Sequence, residues 1–186
     1  MDKAIARIDR VLILRLCRGE DIVGSIRSAC AEHNIQAACI MSMVGSVQEA
    51  VFYDPRPDDT DPAGISYGEP IYVRYPAELI GAHGEISRLA DGKTSIHIHA
   101  AFADTRGRLS GGHLMGEGNK VLNTVNIFIG IMDGVELGVK YDPVLQAPCF
   151  CPRRSPVPRQ QPARPADTER APDAAPPAPE QTQAPT

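Results

Sequence analysis

Apolar residues recur mostly at every second position along this chain, with one stretch where they recur every third or fourth. Val11-Leu-Ile-Leu-Arg-Leu16 is a β-type apolar run closed by Arg18-Gly19-Glu20. Asp21 then suits a helix N-cap. Ile22, Ile26, Ala29 and Cys30 fall at helical spacing up to His33-Asn34, where Asn suits a C-terminal cap. An extended segment from Gln36 to Met43 follows and stops near Gly45-Ser46; Val47 to Tyr53 resumes as a separate one. From Asp54 to Pro70, four prolines, four aspartates and two glycines predict a long surface loop.

Extended segments return at Ile71 to Arg74 and Ala77 to Ile80, and Gly81 and Gly84 bracket His83 ahead of Glu85-Ile-Ser87. Asp91-Gly92 is a strong hairpin turn. After it, Thr94 to Ala103 alternates, with Ile96, Ile98 and Ala100 on one face and His97, His99 and Ala101 on the other. A turn at Asp104-Thr-Arg-Gly107 and a glycine-rich stretch from Gly111 to Gly118 lead into a strand from Val121 to Ile131. Asp133-Gly134 turns the chain into a last strand, Val135 to Val139. One helix against six or more strands, most joined by hairpin signals, predicts an α+β domain with a mostly antiparallel β-sheet.

Composition divides the chain. Residues 151–186 hold 10 of the 17 prolines and no large aliphatic residue except Val157, too little apolar surface to offset the entropy of ordering. The expectation is a folded domain over 1–147 and a proline-rich disordered tail over 148–186. The folded part is acidic: residues 1–150 carry 14 Lys and Arg against 19 Asp and Glu, a net −5. That sign removes the general electrostatic drive toward DNA phosphates. The five cysteines, Cys17, Cys30, Cys39, Cys149 and Cys151, are odd in number and lack CxxC spacing. With no signal-peptide pattern at the start, they predict reduced thiols in a cytoplasmic protein. No apolar run reaches the 18 residues a membrane span needs.

The chemistry-bearing cluster is Ser95-Ile-His97-Ile-His99-Ala, joined fourteen residues later by Gly111-Gly-His113. Strand residues two apart share a face, so His97 and His99 can converge on one cation if a third ligand meets them. Two glycines ahead of His113 permit a close return of the backbone. Three imidazoles leave an open coordination position, the pattern of catalytic zinc. The same spacing also fits two half-exposed strand histidines and an unrelated loop histidine. Glu78, in the apolar strand Ala77-Glu-Leu-Ile80, is a candidate general base or a partner that orients a ligating histidine, although a carboxylate in such a strand is more often an edge charge facing water. His83 is a further candidate ligand or a plain loop histidine. The glycines at 111–118 are followed by a strand rather than a helix, which rules out a dinucleotide-binding loop. Arg106-Gly107-Arg108 mimics the start of an AT-hook but continues with Leu109 where the hook needs proline.

Several short blocks occur in a recognisable order: Leu16-Cys-Arg-Gly19-Glu20-Asp21-Ile22, Gly45-Ser46, Ala77-Glu78-Leu79-Ile80, Gly84-Glu-Ile86-Ser87, His97-Ile-His99-Ala, and Gly111-Gly112-His113-Leu with Gly116. Over about residues 8–142 this resembles the plants-and-prokaryotes-conserved (PPC, or PCC) domain, in its stand-alone prokaryotic form. That domain is shared with plant AT-hook nuclear-localised proteins. The resemblance implies a homotrimer and a metal site, zinc favoured, at His97, His99 and His113. It sets Glu78 at the family's acidic strand position. The expected role is a small-ligand-binding or regulatory module. The alternatives are a zinc-dependent enzyme acting on a small molecule and a DNA-associated regulator. Direct DNA contact is not expected without a hook.

Overall fold

In the computed structural model, which describes residues 1–143 and 146–155, eleven strands and one helix form the domain. In chain order they are β1 (Arg7–Cys17), α1 (Ile22–Glu32), β2 (Ala38–Tyr53), β3 (Pro55–Pro57), β4 (Ile65–Tyr67), β5 (Ile71–Val73), β6 (Ala77–Arg88), β7 (Thr94–Ala103), β8 (Leu109–Leu114), β9 (Lys120–Asp133), β10 (Val135–Asp142) and β11 (Ala147–Arg154). Nine strands make one sheet in the order β1-β9-β2-β8-β7-β6-β10-β11, with β5 beside β2. All its pairings are antiparallel except a single bridge between β10 and β6, Gly138 to Arg88. The α+β, mostly antiparallel class read from the sequence is the class observed.

The length of β2 gives the sheet its shape. Its first two-thirds pair with β6, while its last residues, Phe52 and Tyr53, pair with Leu114 and His113 of β8. Since β6, β7 and β8 also pair in series, β2, β6, β7 and β8 close a ring of hydrogen-bonded strands. The expected break at Gly45-Ser46 does not occur. The strand runs through with register shifts, and Gly45 lies against the Thr124 carbonyl where a Cβ would collide. Glycine here permits close approach rather than ending the strand.

The helix forms where its spacing predicts. Asp21 Oδ1 accepts from the Gly24 amide at 2.9 Å, and Asn34 takes the left-handed conformation (φ 49°) just past the last turn. The face carrying Ile22, Val23, Ile26, Ala29 and Cys30 is buried against β7 and β9. Burial pushes the Cys30 thiol up to about 11, so it stays a protonated core residue. The other Asp21 oxygen accepts from the Gly118 and Asn119 amides at 2.9 and 3.0 Å. Asn119, fully buried, accepts from the Val51 amide and donates to the Met115 carbonyl. This polar clasp ties the segment after His113 to the helix start and to β2.

Two further expectations are corrected. Within 54–70, β3 and β4 pair as a separate ribbon, Pro55 to Pro57 against Ile65 to Tyr67. Prolines are tolerated there because a two-stranded ribbon has only edge strands. The domain also extends past residue 147: β11 pairs with β10 from Asp142↔Ala147 to Val135↔Arg154, and Cys151 is buried. Residues 148–154 therefore belong to the fold, with Pro148 and Pro152 on an edge strand. The rest of the expected tail, 156–186, lies outside the described residues. Among the described residues no helix is long and apolar enough to cross a membrane.

Candidate metal centre

The site is built on the alternation of β7. Ile98, Ala100 and Phe102 point into the core, where Phe102 stacks on Phe52 with ring centroids 6.1 Å apart. His97 and His99 must then point to the other face. Registry brings in the third histidine: His113 on β8 lies directly opposite His99. The glycines before it have a steric function. A Cβ on Gly111 would strike the Ala100 carbonyl, and one on Gly112 would strike the Tyr53 carbonyl. Only glycine lets β8 sit this close to β7 and to the end of β2.

The three rings are clustered. Ring centroids are 4.4 Å apart for His97 and His113, 4.9 Å for His97 and His99, and 5.5 Å for His99 and His113. One nitrogen from each lies within 4.8 Å of the others, and the Nε2 atoms of His97 and His99 are 3.0 Å apart. A tetrahedral ion with nitrogen bonds of 2.0–2.1 Å separates its ligand atoms by about 3.3 Å, so small ring movements suffice to seat one.

Glu85 completes the arrangement. It lies opposite His97 across the β6–β7 pair, and its Oε1 is 2.7 Å from His97 Nδ1. Nδ1–H donating to a carboxylate leaves Nε2 of His97 with its lone pair toward the other two rings. The same hydrogen bond raises His97 above the ordinary imidazole value of 6.5, with partial burial pulling the other way. His113 shifts downward, first because it is half buried and then because His97 and His99 are close. On its other side His113 meets the Tyr67 ring edge to face at 6.1 Å, and Tyr67 in turn meets Tyr53 at 6.4 Å.

The other two sequence candidates are not in the cluster. Glu78 is on the same face of β6 but opposite Ala103, four residues beyond His99 and about 13 Å along the strand. It is exposed to solvent. His83 is a strand residue rather than a loop residue. It lies opposite His99, but its ring turns to the Met41 carbonyl, 3.1 Å from Nδ1. The acid that reaches the triad is Glu85, which the spacing of candidates did not single out. The Asp91-Gly92 turn could have found it, since a hairpin centred on Asp91 sets residue 85 against residue 97.

An α+β domain with a curled antiparallel sheet and three histidines converging on its outer face is the class defined so far. Residues 4–133 match the Plants and Prokaryotes Conserved (PCC) domain, and the chain belongs to that family. Its fold is shared with the "metal-containing protein" AF0104 of Archaeoglobus fulgidus, with TM-score 0.69 and 25% identity over 81% of this chain and 99% of that one. A Pyrococcus horikoshii PPC protein gives TM-score 0.67 at 22% identity, over 80% of this chain and 96% of its own. A Ralstonia eutropha JMP134 protein whose name suggests DNA binding gives 0.61 at 23%, over 74% and 88%. No curated protein matches the sequence.

Proposed function

We propose that this chain is a cytoplasmic, homotrimeric PPC protein that holds one divalent transition metal at His97, His99 and His113 and acts as a small-ligand-binding or regulatory module. The observation that carries this reading is the convergence of three imidazole nitrogens within 4.8 Å, with a carboxylate on the far nitrogen of His97. Three neutral nitrogens suit zinc, and the Archaeoglobus relative, named as metal-containing, supports a metal here without saying which. Such an ion supplies Lewis acidity and, with only three protein ligands, one position for a small ligand. The chain's own part is to fix the tautomer of His97 through Glu85, to keep His113 neutral through partial burial, and to wall one side with Tyr67. The test is elemental analysis of the full chain against His97→Ala, His99→Ala and His113→Ala. About one metal per chain is expected in the parent and little in each variant.

Assembly into a trimer draws on the family resemblance and on an exposed apolar strip. Val11, Ile13, Met41, Val44 and Ile80 lie on the outer side of β1, β2 and β6, and Ile13 keeps 64% of its surface accessible. Exposed apolar side chains on that side of the sheet suit contact between copies. Light scattering should give three times the chain mass, and Ile13→Asp should lower it.

A zinc-dependent enzyme is the second reading, favoured by a set of only three histidine nitrogens, which would leave a bound ion a position for substrate. Glu78 remains its sequence candidate for an acid or base, but at about 13 Å along the strand it can serve only a substrate long enough to span that distance.

A further inference from the structure

A cavity of about 650 Å³ lies away from the histidines, between the end of β6, the β9–β10 turn and the β10–β11 hairpin. This is the size of pocket that small organic molecules occupy. Its apolar wall comes from Ala37, Val135 and Leu137, a small hydrophobic cluster separate from the main core, with Met132 packed on it. Charge at its rim is nearly balanced. Asp133 is bound by Arg7 at 3.1 Å, and Glu136 stands opposite Arg153 across the hairpin. Arg88 is the exception. One terminal nitrogen donates to the Gly92 carbonyl at 3.0 Å, and among the described residues its buried Nε has no hydrogen-bond partner and the guanidinium forms no ion pair to a carboxylate.

A partly buried guanidinium without a counter-ion is costly, and a carboxylate that meets it forms a strong charge-assisted pair. We infer that this cavity binds a small organic monocarboxylate, its charge on Arg88 and its short apolar body against Ala37, Val135 and Leu137. Of the two arginines that line the cavity, Arg153 faces Glu136 in the strand register and Arg88 faces no acid, so one cation over an apolar wall is left to meet a monoanion with a hydrocarbon part. The site is independent of the metal reading, since it shares no residue with the triad.

Calorimetric titration of the full chain with hexanoate tests this. Saturable binding at one site per chain is expected, unchanged after EDTA treatment. Neutral hexanamide should bind at least about tenfold more weakly, and Arg88→Gln should weaken hexanoate by at least the same factor. Should that variant fail to fold, amide shifts on the unaltered chain provide the second reading. They should move at Val135, Leu137 and Cys151 and not at His97 or His99. No binding up to about 10 mM, equal affinity for hexanamide, or loss of binding with EDTA would overturn the proposal.

Discussion

The two faces of β7 alternate residue by residue and answer to different constraints. On the inner face Ile98, Ala100 and Phe102 are buried, and what matters there is volume against Phe52 and the helix. On the outer face His97 and His99 stay partly accessible, and what matters is the direction of nitrogen lone pairs. One strand thus carries both tasks. Core packing holds most of the backbone in place, and the histidines inherit that rigidity while adding little to it. Pairs of substitutions one to three residues apart should therefore separate stability from metal binding.

The largest effect is expected on the inner face. Phe102→Ala removes a fully buried ring and its stacking partner's support, and should cost about 3–5 kcal/mol in chemical denaturation of the metal-free chain. Metal binding should fall with it as the strand loosens. His99→Ala, three residues away, should do the opposite. Its effect on the metal-free stability should stay within about 0.5 kcal/mol, as for other accessible positions, while metal affinity drops more than about 100-fold. A His99→Ala variant as unstable as Phe102→Ala would show that the two faces are not separable.

Glu85→Gln sharpens the comparison further, because Glu85 touches only the outer face. Metal affinity should weaken about 10–100-fold, the range for partners that orient a ligating histidine. The variant also has a pH signature. His97 is raised above the ordinary imidazole value by Glu85, so the contribution of that pair is fully present below about 6.5 and is lost as pH rises through the raised value. Glu85→Gln should therefore lower the metal-free melting temperature more at about pH 5.5 than at about pH 8.5. His113 runs the other way. Its value is lowered by burial and by the adjacent histidines, so its neutral form supports the fold above about 6.5 and that support fades as pH falls through the lowered value. A Glu85→Gln effect that grows with pH would contradict the assigned pair.

The smallest effect expected is on DNA. With 14 bases against 19 acids in residues 1–150, the chain should show no salt-sensitive affinity for a duplex. Submicromolar binding that weakens steeply with salt, measured by fluorescence anisotropy, would restore the DNA-associated reading.

Legibility in the sequence followed local signals. Asp21, the helix spacing and Asn34 are local, and the helix formed where they predict. The Thr94 to Ala103 alternation likewise gave both faces of β7. What the sequence hid was pairing. Glu85 became visible as the partner of His97 only once the β6–β7 register was known, whereas Glu78 attracted notice through its apolar neighbours and stands apart from the cluster. Gly45 looked like a breaker because its reason, the Thr124 carbonyl, comes from a strand 79 residues later in the chain. Average composition concealed β11, whose Cys149-Phe-Cys151 core is flanked by prolines that an edge strand can accept.

The central claim is that the outer face of β7, with β8, is a three-nitrogen metal site. X-ray absorption at the zinc edge of the zinc-loaded full chain tests it most directly. The account predicts about three imidazole nitrogens at 2.0–2.1 Å with a light atom in the remaining position. Sulfur scatterers near 2.3 Å, placing the metal on the cysteines, or a shell unaltered by His97→Ala, would contradict it.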